Sequence, residues 1–200
     1  GSFGDIAASS FGGMVYYTSP DRSELLEQLQ SQTIKEICDS DWKDLTIERL
    51  PEIPNFTLLV GWTGQVAITD SLIQATEKKR KVETDSAFYK EFLKKSHAIV
   101  QGLQTAWNKQ DIPALQEGIR ANRALLNEFA KVMQLGIETP ALQTLCDLAE
   151  KSGACAKTSG AGGGDCGICF TQNETQRQQI ETQWAKAQIQ VLPLTIAEAW

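Results

Sequence analysis

Four glycines fall within the five positions from Gly160 to Gly164, inside the run Lys157-Thr158-Ser159-Gly160-Ala161-Gly162-Gly163-Gly164-Asp165-Cys166-Gly167-Ile168. A helix or strand interior carries such a density only at a large entropic cost, so the backbone here serves close approach or positive φ angles. Successive amides in a turn of this kind converge into an anion-binding nest, and no side chain keeps a phosphate away from the main chain. A mobile linker is the competing reading. The run leads directly into the apolar Ile168-Cys169-Phe170, without the polar flank a linker carries, and this favours a phosphate-facing loop.

Two phosphate signatures fail against it. A Walker A loop needs Lys-Ser/Thr after its last glycine, where Asp165-Cys166 stands. Gly162-x-Gly164-x-x-Gly167 matches the dinucleotide fingerprint literally, but that motif runs strand, glycines, helix. Here a helical pattern, Pro140 to Ser152, precedes and a strand-like run, Gly167 to Thr171, follows.

Two hundred residues with 42% hydrophobic content suffice for a sizeable core. A net charge of −6 provides no basic field for nucleic acid or an anionic membrane. The basic run Lys78-Lys79-Arg80-Lys81 is bracketed by Glu77 and Glu83 and reads as a solvated helix face. No apolar run approaches the roughly 20 residues that span a bilayer and no signal peptide is visible, so a cytoplasmic protein is expected. Five cysteines, an odd number, fit reduced thiols better than a disulfide framework. Cys166-Gly-Ile-Cys169 is compatible with zinc or redox chemistry, yet the sole histidine, His97, is remote in sequence and the pair enters a strand. Buried small hydrophobes are the preferred role for both, and no metal site is assigned.

Along the chain, Asp5 between Gly4 and the apolar Ile6-Ala7-Ala8 reads as the N-cap or first-turn residue of a short helix. Met14–Thr18 is a first strand, and Ser19-Pro20-Asp21 opens a helix with Pro at its first position. Leu45–Leu50 is an edge strand closed by Pro51, and Phe56–Trp62 a central one. From Thr69 to Ser152 the pattern is helical. One stripe carries Phe88, Phe92, Ile99, Leu103 and Trp107; a second helix after Asp111-Ile112-Pro113 carries Leu115, Ile119, Leu126, Phe129 and Met133; a third starts at Thr139-Pro140 with Leu142, Leu145 and Leu148. After the glycine loop come a strand to Thr171, a helix capped by Asn173 with Gln176 three residues on, and a last strand, Ile189–Leu192. Strands separated by helices, with a helical insertion, imply an α+β sheet covered on one face, in one domain over 1–200.

The glycine run resembles the third conserved motif of the GHMP kinases, and Gly-Gly-Gly-Asp-Cys-Gly within it resembles phosphomevalonate kinases in particular. Gly1-Ser2-Phe3-Gly4-Asp5 and Val60-Gly61-Trp62-Thr63 are similar to further segments of that family. The resemblance implies a ferredoxin-like C-terminal domain with a helical insertion, ATP and Mg2+ as cofactors, and 5-phosphomevalonate as phosphoryl acceptor. It assigns Asp5 a catalytic role and places substrate or phosphate contacts at Ser2, Ser159, Gly160, Ala161, Gly162 and Gly163. The first ATP motif of these kinases and the N-terminal segment with its catalytic lysine have no match here. The chain is therefore expected to be one part of a kinase, its partner the missing N-terminal half, and inactive alone. Another GHMP small-molecule kinase, similar to mevalonate kinase, and a non-catalytic ligand-binding domain are the alternatives.

Overall fold

A computed structural model describes residues 3–64, 86–160 and 162–198. Ser2, Ala161, the start of the long helical pattern (69–85) and its Lys78–Lys81 run lie outside the described residues. Contacts divide the chain, read above as one domain, into two compact units, Gly1–Glu52 with Ile196–Trp200, and Ile53–Thr195.

The first unit holds α1 (Gly4–Phe11), β1 (Met14–Thr18), α2 (Arg22–Gln28), α3 (Ile34–Cys38) and β2 (Thr46–Leu50). Asp5 sits in the first turn of α1 and makes no cap; the N-cap is Phe3, with φ 62°. A carboxylate in a first turn is favoured by the helix dipole. β1 and β2 pair antiparallel from Met14↔Leu50 to Thr18↔Thr46, a two-stranded sheet of their own. The segment read as an edge strand is thus a hairpin-like partner of the first strand, outside the larger sheet. The α2 cap also departs from expectation: Asp21, not Ser19, accepts from the amides of Ser23 and Glu24, so Pro20 precedes the helix. The carboxylate prevails because it satisfies two amides at once and is paired with Lys43 at 3.0 Å.

The second unit builds β3 (Thr57–Trp62), α4 (Ala87–Asn108), α5 (Ile112–Met133), α6 (Pro140–Lys151), β4 (Cys155–Thr158), β5 (Cys166–Thr171), α7 (Glu174–Lys186) and β6 (Gln190–Leu192). The sheet order is β4-β5-β3-β6 with every pairing antiparallel. Chain order strand, helices, two strands, helix, strand with this spatial order is the ferredoxin-like arrangement, its first crossover carrying α4, α5 and α6 among the described residues. α6 starts after Thr139 and α7 is capped by Asn173 as the sequence predicts, whereas α5 begins already at Ile112, ahead of Pro113, with Asp111 as its cap; each of the three side chains accepts a backbone amide. Of the adjacent leucines on α5, Leu125 is buried and Leu126 only half-buried.

One face of the sheet is covered by α6 and α7. Leu59, Ala156 and Cys169 meet Leu145, Cys146, Ala149, Ile180 and Trp184 there. Gly61 and Gly167 are register partners on β3 and β5, and a Cβ on either would stand within 3.0 Å of Leu145 or Trp184 side-chain atoms. The two glycines of Val60-Gly61-Trp62 and Asp165-Cys166-Gly167 are therefore required by packing: they make the hollow that Leu145 and Trp184 fill. Among the described residues, no helix is long and apolar enough to cross a membrane.

Candidate functional site

The glycine run is the loop of the β4–β5 hairpin. Sequence reading assigned no strand to the stretch before it, because β4 is only four residues long and offers Cys155-Ala156-Lys157-Thr158 without period-two contrast. Both of its outer faces are nearly buried, and a strand covered on both sides shows no alternation. The hairpin closes when the Ser159 amide donates to the Cys166 carbonyl at 3.0 Å. Thr63, immediately after β3, donates both its amide and its hydroxyl to the Asp165 carbonyl, each at 2.9 Å. Thr63 was read only as part of the Val-Gly-Trp-Thr likeness; it is a clamp on the C-terminal end of the loop.

Between these fixed ends the backbone is left-handed at Gly160 (φ 64°), Gly162 (76°), Gly163 (85°), Gly164 (136°) and Asp165 (63°). Two of the glycines face different surroundings. A Cβ on Gly160 would meet nothing within 4 Å, whereas one on Gly162 would lie 2.3 Å from the Ile137 carbonyl oxygen. Next to it, the Gly163 amide donates to that same carbonyl at 2.7 Å. The loop is thus seated on the connection between α5 and α6. Of the residues assigned phosphate contacts, Ser159 and Gly163 have their amides engaged internally. Among the described residues the amides of Gly160, Gly162 and Gly164 donate to no partner, although Gly162 and Gly164 are buried. Buried amides are nearly always paired, so this set of donors suits an anionic oxygen.

Lys157, on β4 just before the loop, is the nearest cation in sequence. Its ammonium donates to the Thr158 carbonyl at 2.7 Å, and among the described residues no carboxylate pairs with it. Burial pushes its pKa down.

Behind the loop, Glu138 follows Ile137 directly. Arg123 of α5 grips its carboxylate with two hydrogen bonds, Nε to Oε2 at 2.9 Å and Nη2 to Oε1 at 2.5 Å, and reaches Asp147 Oδ1 at 2.8 Å. Asn127 Nδ2 adds a bond to Glu138 Oε2 at 2.9 Å. Burial alone pushes the Glu138 carboxyl up, but the Arg123 and Asn127 hydrogen bonds and the Arg123 charge outweigh it and hold the group below its ordinary 4.5. A folded-state pKa below the unfolded one contributes stability that is present above the unfolded value and lost as pH falls through the folded one. The thermal midpoint is therefore expected to drop as pH falls below about 4.5, and the drop is expected to be shallower in Glu138→Gln; equal acid profiles for both proteins would contradict it.

The cysteine pair separates. Cys166 and Cys169 lie three positions apart on β5, so their side chains project to opposite faces of the sheet. Cys169 is fully buried, and burial pushes its thiol up, as it does Cys155 to about 11. Among the described residues no group of three or more His, Cys, Asp or Glu side chains could hold a metal ion.

Residues 99–190 match the family model "GHMP kinases C terminal". Over 199 residues the chain is 38% identical to a phosphomevalonate kinase from Streptomyces sp. strain CL190, covering 98% of this chain and 53% of that protein. It superposes on a Lin0012 protein from Listeria innocua with a TM-score of 0.94 at 32% identity, covering 100% of this chain and 56% of that one. A Streptococcus pneumoniae phosphomevalonate kinase in complex with phosphomevalonate and AMPPNP gives 0.81 at 28% identity, covering 96% and 54%. The chain spans about half the length of each of these relatives. Residues 99–190 thus match the GHMP kinase C-terminal family model, and the glycine hairpin and antiparallel sheet order belong to a chain that is similar, over nearly its whole length, to part of the phosphomevalonate kinases.

Proposed function

We propose that this chain forms the acceptor-binding part of a cytosolic phosphomevalonate kinase, transferring the γ-phosphoryl group of ATP to 5-phosphomevalonate to give 5-diphosphomevalonate. The observation that carries the reading is the β4–β5 loop, whose Gly160, Gly162 and Gly164 amides have no partner among the described residues. Phosphoryl transfer is mostly positioning and neutralisation of charge, and main-chain donors that need no reorganisation suit it. In this reading the Ser159 hydroxyl and the amides of Gly160 and Gly162 hold phosphate oxygens, with Ala161 and Ser2 assigned on the resemblance alone. Gly163 anchors the loop, its own amide being spent on Ile137.

ATP supplies the phosphoryl group. Its nucleotide-binding elements belong to an equivalent of the half of the relatives' length that lies outside the match. Mg2+ accompanies ATP in this reading, but the described residues do not by themselves form a site for it, and no step here runs through it. Asp5 is given a positioning role. The acceptor is a phosphomonoester whose second pKa is about 6, so it is already largely ionised at neutral pH and needs no strong base. A bare carboxylate beside it would repel it. Asp5 therefore acts by pairing with a lysine of the other half and aligning the acceptor.

The test is a 31P NMR assay of ATP with 5-phosphomevalonate in an intact kinase carrying this sequence. Diphosphate product is expected there, with no turnover by the 200-residue chain alone. Asp5→Asn in the intact kinase is expected to lower kcat by at least about 100-fold, in line with the loss a misplaced reacting group causes. Unchanged turnover would remove the role of Asp5, and mevalonate being phosphorylated in preference to 5-phosphomevalonate would replace the substrate.

A further inference from the structure

The glycine loop carries no side chain that could set its shape, so something outside it must. Two contacts from one residue do so: the Ile137 carbonyl accepts the Gly163 amide at 2.7 Å, and the same oxygen occupies the space a Gly162 Cβ would need. Ile137 lies in a connection between helices, where backbone position is otherwise weakly determined. Its neighbour Glu138 is held by the Arg123 fork and by Asn127, with the Glu138 side chain only 7% exposed and that of Arg123 16%. Ile137 itself is buried with Phe129, Ala130 and Met133 of α5. A bidentate arginine–carboxylate pair fixes orientation as well as distance, which a lysine or an apolar contact does not.

We propose that Arg123 and Glu138 are positioning residues for phosphate binding: their ion pair locks the Ile137 carbonyl, which holds Gly163 and so aims the open amides of Gly160, Gly162 and Gly164 at the anion. Buried ion pairs of this kind contribute little net stability against apolar replacements of similar volume. A role in aiming the loop therefore accounts for the pair better than a role in folding. This inference rests on the anion-binding reading of the loop given above.

The experiment uses the 15N-labelled chain, with Arg123→Lys and the double variant Arg123→Met/Glu138→Leu, which leaves no unpaired charge between the two positions and parts only the solvent-exposed Asp147 from its arginine. Amide hydrogen exchange is followed at Gly163 and, as a measure of the sheet, at Leu59 and Ile168. Inorganic phosphate is titrated while the loop amides are observed. In the wild type Gly163 is expected to be protected; in both variants it exchanges about 10-fold faster and phosphate binds about 10-fold more weakly, with Leu59 and Ile168 unchanged. A merely structural pair would move all three amides together. Unprotected Gly163 in the wild type, or variants with intact sheets, unaltered Gly163 exchange and unaltered phosphate affinity, would overturn the proposal. A wild type that protects Gly163 yet binds no phosphate would overturn the anion-site reading, while faster Gly163 exchange in the variants would still support the anchor.

Discussion

Gly162→Ala is expected to abolish useful phosphate binding by this chain while leaving its sheet folded. Two costs fall on the same atom. At φ 76° an L-residue is strained by about 1–2 kcal/mol, and the added Cβ would sit 2.3 Å from the Ile137 carbonyl oxygen. That obstacle is backbone, so rotamer changes cannot relieve it, and the loop must move by about an ångström to reach ordinary contact. A displacement of this size at a binding site costs on the order of 100-fold. The hydrogen bond from Gly163 to Ile137 goes with it. Phosphate titration of the labelled chain measures the loss, and Gly136→Ala, where a Cβ meets nothing within 4 Å, provides the comparison expected to bind like wild type. Gly162→Ala with wild-type phosphate affinity would show that the seat on Ile137 does not shape the loop.

The largest expected loss of stability comes from Trp184→Ala. Trp184 is fully buried on α7, and its indole N–H donates to the Leu145 carbonyl at 2.9 Å, joining the two helices that cover the sheet. Its ring lies over Gly61, where a Cβ would stand 2.8 Å from it, while Leu145 takes the space over Gly167. From the sheet itself nothing can close that space, because the register partners Gly61 and Gly167 carry no side chain. Removal of a core tryptophan costs about 3–5 kcal/mol, a large share of the about 5–15 kcal/mol that stabilises an ordinary domain. Trp184→Phe is expected to lose about 1–3 kcal/mol through volume and the missing donor. Adding Gly61→Ala to Trp184→Phe is expected to recover part of that loss, although Gly61→Ala alone overpacks the site. Urea unfolding with a common m-value decides it; a loss below 1 kcal/mol for Trp184→Ala would mean that the core closes by other means.

How far the chain could be read before its structure was known varied with the kind of signal. The start of α6 at Thr139-Pro140 and the Asn173 cap of α7 lay where sequence placed them, because a helix start depends on a few adjacent residues. The apolar stripe through Phe88 and Phe92 was visible for the same reason, and both residues pack on Phe129. α3 was missed although Thr33 and Glu36 form a full capping box; a helix of five residues leaves no periodicity to support its cap. β4 was missed because burial on both faces erases alternation, and the β1–β2 pairing because strand partners are chosen by long-range contacts. Of the site, the density of glycine spoke for an unusual backbone. Ile137 did not show at all, since it contributes a carbonyl, the one group every residue possesses.

What the sequence determined alone is the permission: four glycines in five positions allow left-handed backbone and close approach, and no ordinary residue run would. Which glycine does which task was decided only by tertiary structure. Gly160 meets open space, Gly162 meets the Ile137 carbonyl and Gly61 and Gly167 meet Trp184 and Leu145. The physical reason is that a glycine is defined by the atom it lacks, and what lies in the vacated volume comes from residues distant in the chain, so conformational freedom is written locally while its use is not.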